Sequence, residues 1–185
     1  MSKPNNELYD ILLFYENEIR PYKYTYKCEF GTTISFTIEP DEVCHLFFGS
    51  LKNKNVPNAK LFKGQAGYDA ILNGTVTKIP YQLVNDFKSK SLAFYELPEL
   101  LNETIAIYYN ENIVQKGNIR GFYSDINGDF LLYKEIDNKN IHFFLKHFPN
   151  KNDRLIPYST FHNKKNDYIV NQKRIKVLDV SIRNR

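Results

Sequence analysis

Histidine, lysine and hydroxyl side chains are the residues of this sequence whose types could carry acid–base chemistry. His45 lies in the segment 40–49, a short apolar pattern that predicts a helix capped by Asp41. His142 lies in the run 141–147, where apolar and polar residues alternate as they do along a strand. Because an imidazole titrates near neutral pH, two of them can supply a base and an acid. We therefore predict that His45 and His142 form a catalytic pair, and the sequence leaves open which of them is the base.

Strand alternation places two further side chains beside His142. Its face also carries Phe144 and Lys146, whereas the apolar residues of the same run point to the other face, which we assign to the helices. An aromatic ring between a histidine and a lysine on an open sheet face suits a stacked base beside a bound phosphate. The pattern therefore predicts a nucleic-acid-binding face.

A later strand pattern adds hydroxyl groups. Its alternation predicts that Tyr158 and Thr160 share one face, with Ser159 on the opposite face. Cleavage of RNA without a metal needs a base for the 2'-hydroxyl proton, a cation for the charged phosphorane and an acid for the leaving oxygen. We assign the phosphate to Lys146 or Lys134, assisted by Ser159 or Thr160. Each of these residues, taken alone, is also an ordinary surface position of a strand.

Other kinds of site leave no motif in the sequence. There is no glycine-rich loop ending in Gly-Lys-Ser/Thr, no dinucleotide fingerprint and no Cys or His pair at zinc spacing. The acidic residues of 125–129 lack the later glutamate of a calcium loop, so this segment predicts a hairpin turn. We therefore expect no metal and no cofactor.

Length and composition indicate one domain over residues 1–185. The chain has 14 Tyr, 14 Phe and no Trp, so large flat side chains must build much of the core. No apolar run approaches the roughly 20 residues that a membrane span requires. Cys28 and Cys44 are too few for a disulfide framework. These features predict a soluble cytoplasmic protein that makes no membrane contact.

The hydrophobic periodicity changes along the chain from a helical to a strand pattern. Helices are predicted over 5–20, 41–48, 63–74 and 80–101, a hairpin over 22–38, and strands over 105–109, 129–136, 141–148, 155–161 and 176–182. This order predicts an α+β fold in which N-terminal helices and a hairpin pack on a C-terminal antiparallel β-sheet.

The net charge of +4 is unevenly distributed. Residues 139–185 hold 11 Lys or Arg and 3 acidic residues, a net charge of +8, and the rest of the chain carries −4. A basic, aromatic-rich strand region next to a neutral or acidic helical one is typical of a surface that receives a polyanion. A solvated basic tail is the alternative.

Short segments of the chain resemble nucleases of the Barnase, EndoU, colicin and RelE-like (BECR) superfamily carried by phages and mobile elements. The resemblance spans residues 8–180, and its most distinctive part is the helix motif Cys44-His45-Leu46-Phe47-Phe48-Gly49. It continues through the segments 63–69, 73–74, 130–133, 141–143 and 157–161.

The resemblance implies helices packed on an antiparallel sheet and metal-independent cleavage of RNA by an enzyme of toxin or phage-defence type. By position, His45 matches the helix histidine, His142 the strand histidine, and Ser159 with Thr160 the late hydroxyl pair. The expected partners are RNA, as tRNA or mRNA, and an antitoxin or immunity protein. We expect RNA to contact Lys63, Lys134, Phe144 and Tyr158.

Two alternatives stay open on the sequence. The first is a phage accessory protein of the same fold that binds RNA or protein without turnover. The second concerns His45 alone, which would then only hydrogen-bond a backbone carbonyl beneath the polar loop 53–63.

Overall fold

The computed structural model describes residues 6–49, 51, 54–116, 126–149, 154–163 and 167–185. The helices are α1 (Glu7–Glu18), α2 (Pro40–Phe48), α3 (Gly64–Leu72), α4 (Val84–Tyr95), α5 (Leu97–Asn102) and α6 (Glu111–Lys116). The strands are β1 (Tyr22–Cys28), β2 (Thr33–Phe36), β3 (Ile105–Tyr108), β4 (Phe130–Ile136), β5 (Lys139–Phe148), β6 (Arg154–Asn163), β7 (Lys173–Ile175) and β8 (Val177–Asn184). Among these, the sequence patterns predicted neither α6 nor β7.

The strands form two antiparallel sheets. The large sheet has the order β6-β5-β4-β3-β7, and the small sheet has the order β2-β1-β8. The predicted α+β class with antiparallel pairing is confirmed. One pairing differs from the prediction, because β8 returns to the N-terminal hairpin instead of extending the C-terminal meander.

Local sequence explains the ends of α2, the helix that carries His45. Pro40 occupies its first turn, and a reciprocal capping box joins Glu39 to Glu42. The cap predicted at Asp41 is therefore wrong by two residues. At the other end Gly49 has φ 66° and ψ −158°, and its N–H donates to the His45 carbonyl at 2.8 Å. This backbone conformation is open to glycine and costly for other residues.

Side chains cover both faces of the large sheet. Ile141, Phe143 and Leu145 of β5 belong to the main core, which also contains α1 to α5 and the inner face of the small sheet. The opposite face is buried in a second cluster: Ile107, Tyr109, Val114, Leu131, Tyr133, Phe144, Tyr168 and Ile169. The helical face predicted for β5 is confirmed, but the face predicted to be open is not open.

Among the described residues, no helix is both long enough and apolar enough to cross a membrane.

Candidate active site

His45 reaches the large sheet from α2, on the side of its edge strand. Its ring lies 5.7 Å from the ring of Tyr158 on β6, and it is hydrogen-bonded to the Tyr158 main chain. The predicted packing of this helix against the later sheet is confirmed. Burial lowers the pKa of His45 below its ordinary value, the nearby charge of Lys90 lowers it further, and the bond to Tyr158 opposes both. This histidine is therefore neutral at pH 7 and able to accept a proton.

Lys90 of α4 is the lysine whose charge acts on this histidine. It lies between Phe87 and Phe94 on the buried face of its helix, and Phe94 packs edge-on against Phe47 of α2 with ring centroids 4.6 Å apart. This packing turns the lysine towards the end of α2. Burial, followed by the charge of Lys54, lowers the pKa of Lys90 to about 8.

Two groups lie beside the Lys90 ammonium. Its Nζ donates to the Ser159 hydroxyl at 3.3 Å. A Cβ atom placed on Gly49 would lie 3.1 Å from the same Nζ, so the glycine leaves room for the lysine. Asp86, one turn earlier on α4, is ion-paired with Lys54. We call His45, Lys90, Tyr158 and Ser159 the edge site.

A β-bulge explains the position of Tyr158. The register of β5 with β6 shifts between Phe144 and Leu145, which face Ser159 and Pro157 respectively, so Tyr158 is the extra residue. The bulge reverses the alternation predicted for this strand, and Tyr158 does not share a face with Thr160. The Nζ of Lys146 lies 5.5 Å from the Tyr158 ring, which brings this predicted lysine beside the edge site.

His142 does not join the edge site. Its side chain is 0% exposed and is stacked on the rings of Tyr133, Phe144 and Phe161 at 6.4, 6.1 and 5.4 Å. Its Nδ1 contacts the Asn140 carbonyl at 3.1 Å, and burial lowers its pKa to about 4. The predicted pairing of His142 with His45 around one phosphate is therefore wrong, because a phosphate cannot reach an enclosed ring.

Two other predicted contact residues are buried as well. Phe144 is 0% exposed inside the second cluster, so the prediction that a base stacks on it is wrong. Thr160 is 0% exposed opposite Phe143, and its hydroxyl has no hydrogen-bond partner among the described residues. Of the predicted hydroxyl pair, only Ser159 lies where a ligand at the edge site could meet it.

The two remaining lysines lie away from the edge site. Lys134 on β4 forms ion pairs with Glu99 at 3.1 Å and Glu103 at 3.0 Å. These carboxylates raise the pKa of Lys134, and the ammonium is ion-paired with both of them. Lys63 is exposed at the start of α3. The RNA contacts predicted for these two residues stay predictions without a structural link to His45.

Lys90 was not among the predicted site residues, although the sequence holds a signal for it. Lys90 is three residues after Phe87 and four residues before Phe94, so it interrupts an apolar stripe at helical spacing. Lysine is seldom buried without a partner or a function. A charged residue in an apolar stripe is therefore the pattern that would have indicated the site.

A groove of about 770 Å3 opens between the two sheets. It is lined by Lys23, Thr33, Ser35, Phe36, Thr37, Asp129, Phe130, His147, Arg154 and Leu155. Arg154 also forms ion pairs with Glu39 and Glu42 at the start of α2. The groove therefore borders the same helix that carries His45, one turn before it.

The edge site assembles a neutral imidazole, an ammonium group and a hydroxyl from three elements. Together they can accept a proton, stabilise an anion and donate a proton. Comparison of the chain with protein-family models, with curated proteins and with solved structures gave no match. The chemistry of the edge site is therefore the basis for a function.

Proposed function

We propose that this protein is an endoribonuclease that cleaves RNA by attack of the 2'-hydroxyl on the adjacent phosphate, without a metal ion. The observation that carries the proposal is the partly buried Lys90 ammonium, which contacts Ser159 and lowers the pKa of the neighbouring His45. A lysine with a strongly shifted pKa in a cluster of polar groups is typical of a functional site. The positive charge of this cluster suits a phosphate ligand.

The three groups have distinct roles in the proposed reaction. Neutral His45 accepts the proton of the 2'-hydroxyl as its oxygen bonds to phosphorus. The Lys90 ammonium and the Ser159 hydroxyl stabilise the phosphorane, and Lys90 then donates a proton to the departing 5'-oxygen. The products are a 2',3'-cyclic phosphate and a 5'-hydroxyl, which balance the atoms and the proton of the substrate.

The biological setting in the proposal is that of a toxin or phage-defence enzyme. Its support is the resemblance of the helix motif 44–49 to BECR nucleases, because that motif carries His45. The partners in this setting are RNA, as tRNA or mRNA, and an antitoxin or immunity protein. Phe148 and Tyr158 flank the Lys146 ammonium, each ring centroid 5.5 Å from its Nζ, and this group is where we place the RNA chain beside the edge site.

The test uses defined RNA oligonucleotides in buffer that contains EDTA. We expect cleavage that leaves a 2',3'-cyclic phosphate, and no cleavage of DNA or of RNA that is 2'-O-methylated throughout. Cleavage of the methylated RNA would overturn the proposed chemistry, because that substrate has no nucleophilic hydroxyl. A requirement for added metal would overturn the metal-free mechanism.

A second function, RNA binding without cleavage, is favoured by the burial of Ser159, which is only 7% exposed. A hydroxyl this enclosed can hold Lys90 in place without meeting a substrate. Tight binding of single-stranded RNA with no product after long incubation would support this second function over the first.

A further inference from the structure

Strand β8 forms one edge of the small sheet. It pairs with β1 along Val177–Asn184, and no other strand pairs with it in the part of the chain that the structure describes. In monomeric proteins the edge strands are usually short or covered by other elements, because the unpaired N–H and C=O groups of a long edge strand attract further strands. The other long edge strand, β6, is covered by α2 and α4, whereas the small sheet shows no such cover for β8 among these residues.

Backbone geometry shows which groups of β8 point away from β1. The N–H of Arg185 donates to the Pro21 carbonyl at 3.0 Å, so this residue faces β1. Hydrogen-bonding direction alternates along an antiparallel strand. The N–H and C=O groups of Val180, Ile182 and Asn184 therefore point away from β1, where no strand of the described ranges pairs with them.

The side chains of β8 are divided between the two faces of the sheet. Val180 and Ile182 are partly buried against the main core. Asp179, Ser181 and Arg183 lie on the outer face, where they pair with exposed or partly exposed residues of β1. Along the outer face of this edge the side chains are therefore an acid, a hydroxyl and a base. When this strand pairs antiparallel with a copy of itself, the acid of each copy can lie opposite the base of the other.

We propose that β8 pairs antiparallel with β8 of a second copy of this chain, with the two-fold axis at Ser181. In this register Asp179 of each copy lies opposite Arg183 of the other, and Val180 lies opposite Ile182 on the core face. Opposite charges across neighbouring strands are favourable, and the pairing satisfies the outward backbone groups of both copies. The two small sheets become one sheet of six strands.

Neighbouring registers are less complementary. The alternation of backbone groups requires the axis to pass through a residue rather than between two residues. An axis at Val180 places Arg183 opposite Val177, with no ion pair. An axis at Ile182 places Asp179 opposite Arg185, whose guanidinium is already bound to Glu39 and to the Ile38 carbonyl.

The first test is a disulfide at the proposed axis. Opposed residues in a non-hydrogen-bonded pair have Cα atoms about 4.5 Å apart, within the range of about 4.4 to 6.8 Å that a disulfide spans. Ser181→Cys should therefore form a covalent dimer under mild oxidation. Thr25→Cys, on the same face of β1, is the matched control and should stay monomeric, as should the wild type with its buried Cys28 and Cys44.

The second test exchanges the charges and measures molar mass in solution. Asp179→Arg and Arg183→Asp should each shift the equilibrium towards the monomer, and the double variant should restore the dimer. Asp179 also lies 3.7 Å from Lys27 within its own chain, so circular dichroism must show that each variant is folded. A monomeric wild type at every concentration, or equal cross-linking at positions 25 and 181, overturns the proposal and leaves the edge to a strand from another protein.

Discussion

Lys90 is a charged side chain on the buried face of a helix, a position that costs folding free energy unless the ammonium has partners. Its described partner is the Ser159 hydroxyl, and the Gly49 backbone allows its close approach. Burial lowers its pKa to about 8, so it stays mostly protonated at neutral pH but releases a proton readily. These properties match a group that stabilises a phosphorane and then acts as an acid.

Activity should depend on pH through both groups of the edge site. It should rise with pH as His45 loses its proton, at a pH below the ordinary histidine value, and fall as Lys90 loses its proton near pH 8. Lys90→Arg should lower the rate, because the guanidinium does not give up a proton in the accessible pH range, and the remaining activity should show no alkaline fall. The pH profile of kcat/KM measures both limbs, and an unchanged alkaline limb in the variant would exclude Lys90 as its origin.

His142 should make stability depend on pH instead. Its pKa falls from 6.5 in the unfolded chain to about 4 in the folded protein, so the unfolded chain binds the proton more readily between these values. The contribution of neutral His142 to the free energy of unfolding is therefore fully present above pH 6.5. As the pH falls towards 4 this contribution is lost, which lowers the free energy of unfolding by on the order of 3 kcal/mol.

His142→Phe tests this linkage, because phenylalanine fills the stacked position and has no proton to bind. Urea unfolding at several pH values should show a shallower loss of the free energy of unfolding for this variant than for the wild type. The control is His147→Gln, which replaces an exposed histidine of the same strand. Equal acid sensitivity in His142→Phe and the wild type would contradict the linkage.

At the scale of elements, the site depends on the meeting of α2, α4 and the bulge of β6. Helix α2 was predictable because its apolar spacing, Pro40 and Gly49 all indicate the same helix. The bulge was not, because it depends on how β6 pairs with β5 and not on any residue type at Tyr158. One extra residue moved this tyrosine away from Thr160 and towards His45.

Gly49→Ala should reduce both stability and activity. The positive φ of this residue strains any Cβ, at a cost of about 1 to 3 kcal/mol, and the added methyl group would also press on the Lys90 ammonium. Gly74→Ala is the matched control, since its φ is +79° but no atom lies within 4 Å of the added methyl group. Thermal unfolding should show both variants destabilised, while RNA cleavage and the alkaline limb should change in Gly49→Ala alone.

At the scale of the molecule, the sequence predicted the class of the fold, since the helices up to Asn102 and the strands from Ile105 onwards, apart from β7, show their own periodicity. It did not predict which strands share a sheet. The pairing of β8 with β1 joins the two ends of the chain, and periodicity within a strand carries no information about its partner.

The buried second face was missed for a related reason. The run Phe130-Leu131-Leu132-Tyr133 is apolar at every position, which is the pattern of a strand covered on both faces. The segments that cover the second face are the helix Glu111–Lys116 and the turn around Tyr168. Their sequences show only weak periodicity, so they did not indicate that this face is buried. His142 and Phe144 were consequently placed on an open face.

The fold also divides the basic C-terminal quarter among several surfaces. Arg154 and Arg185 form ion pairs with Glu39, whereas Asp179, an acid of this quarter, lies beside Lys27 on the small sheet. The two arginines are therefore partly neutralised by an acid of the N-terminal half. Lys146 has aromatic rings around its ammonium, and we expect it to contribute more to phosphate binding than the paired arginines.

RNA binding should weaken as salt increases, because each phosphate contact releases counterions. In a His45→Ala background that prevents cleavage, Lys146→Ala should reduce the slope of log affinity against log salt by about 0.7, the value for one contact on a single strand. Lys134→Ala, whose ammonium is held by Glu99 and Glu103, should leave the slope unchanged. Binding by filter retention or fluorescence anisotropy gives both slopes, and equal effects of the two variants would place the RNA elsewhere.

In the proposed mechanism His45 is the base and Lys90 the acid of the edge site, in place of a pair of histidines. The most direct measurement is the rate of RNA cleavage in EDTA for the wild type, His45→Ala and His142→Phe, at pH 7 and at equal folded fraction. Loss of a general base typically costs about 100-fold to 10,000-fold in rate. We expect a loss of this size in His45→Ala and a rate within a few-fold of the wild type in His142→Phe. Full activity in His45→Ala, or an equal loss in both variants, would contradict the account.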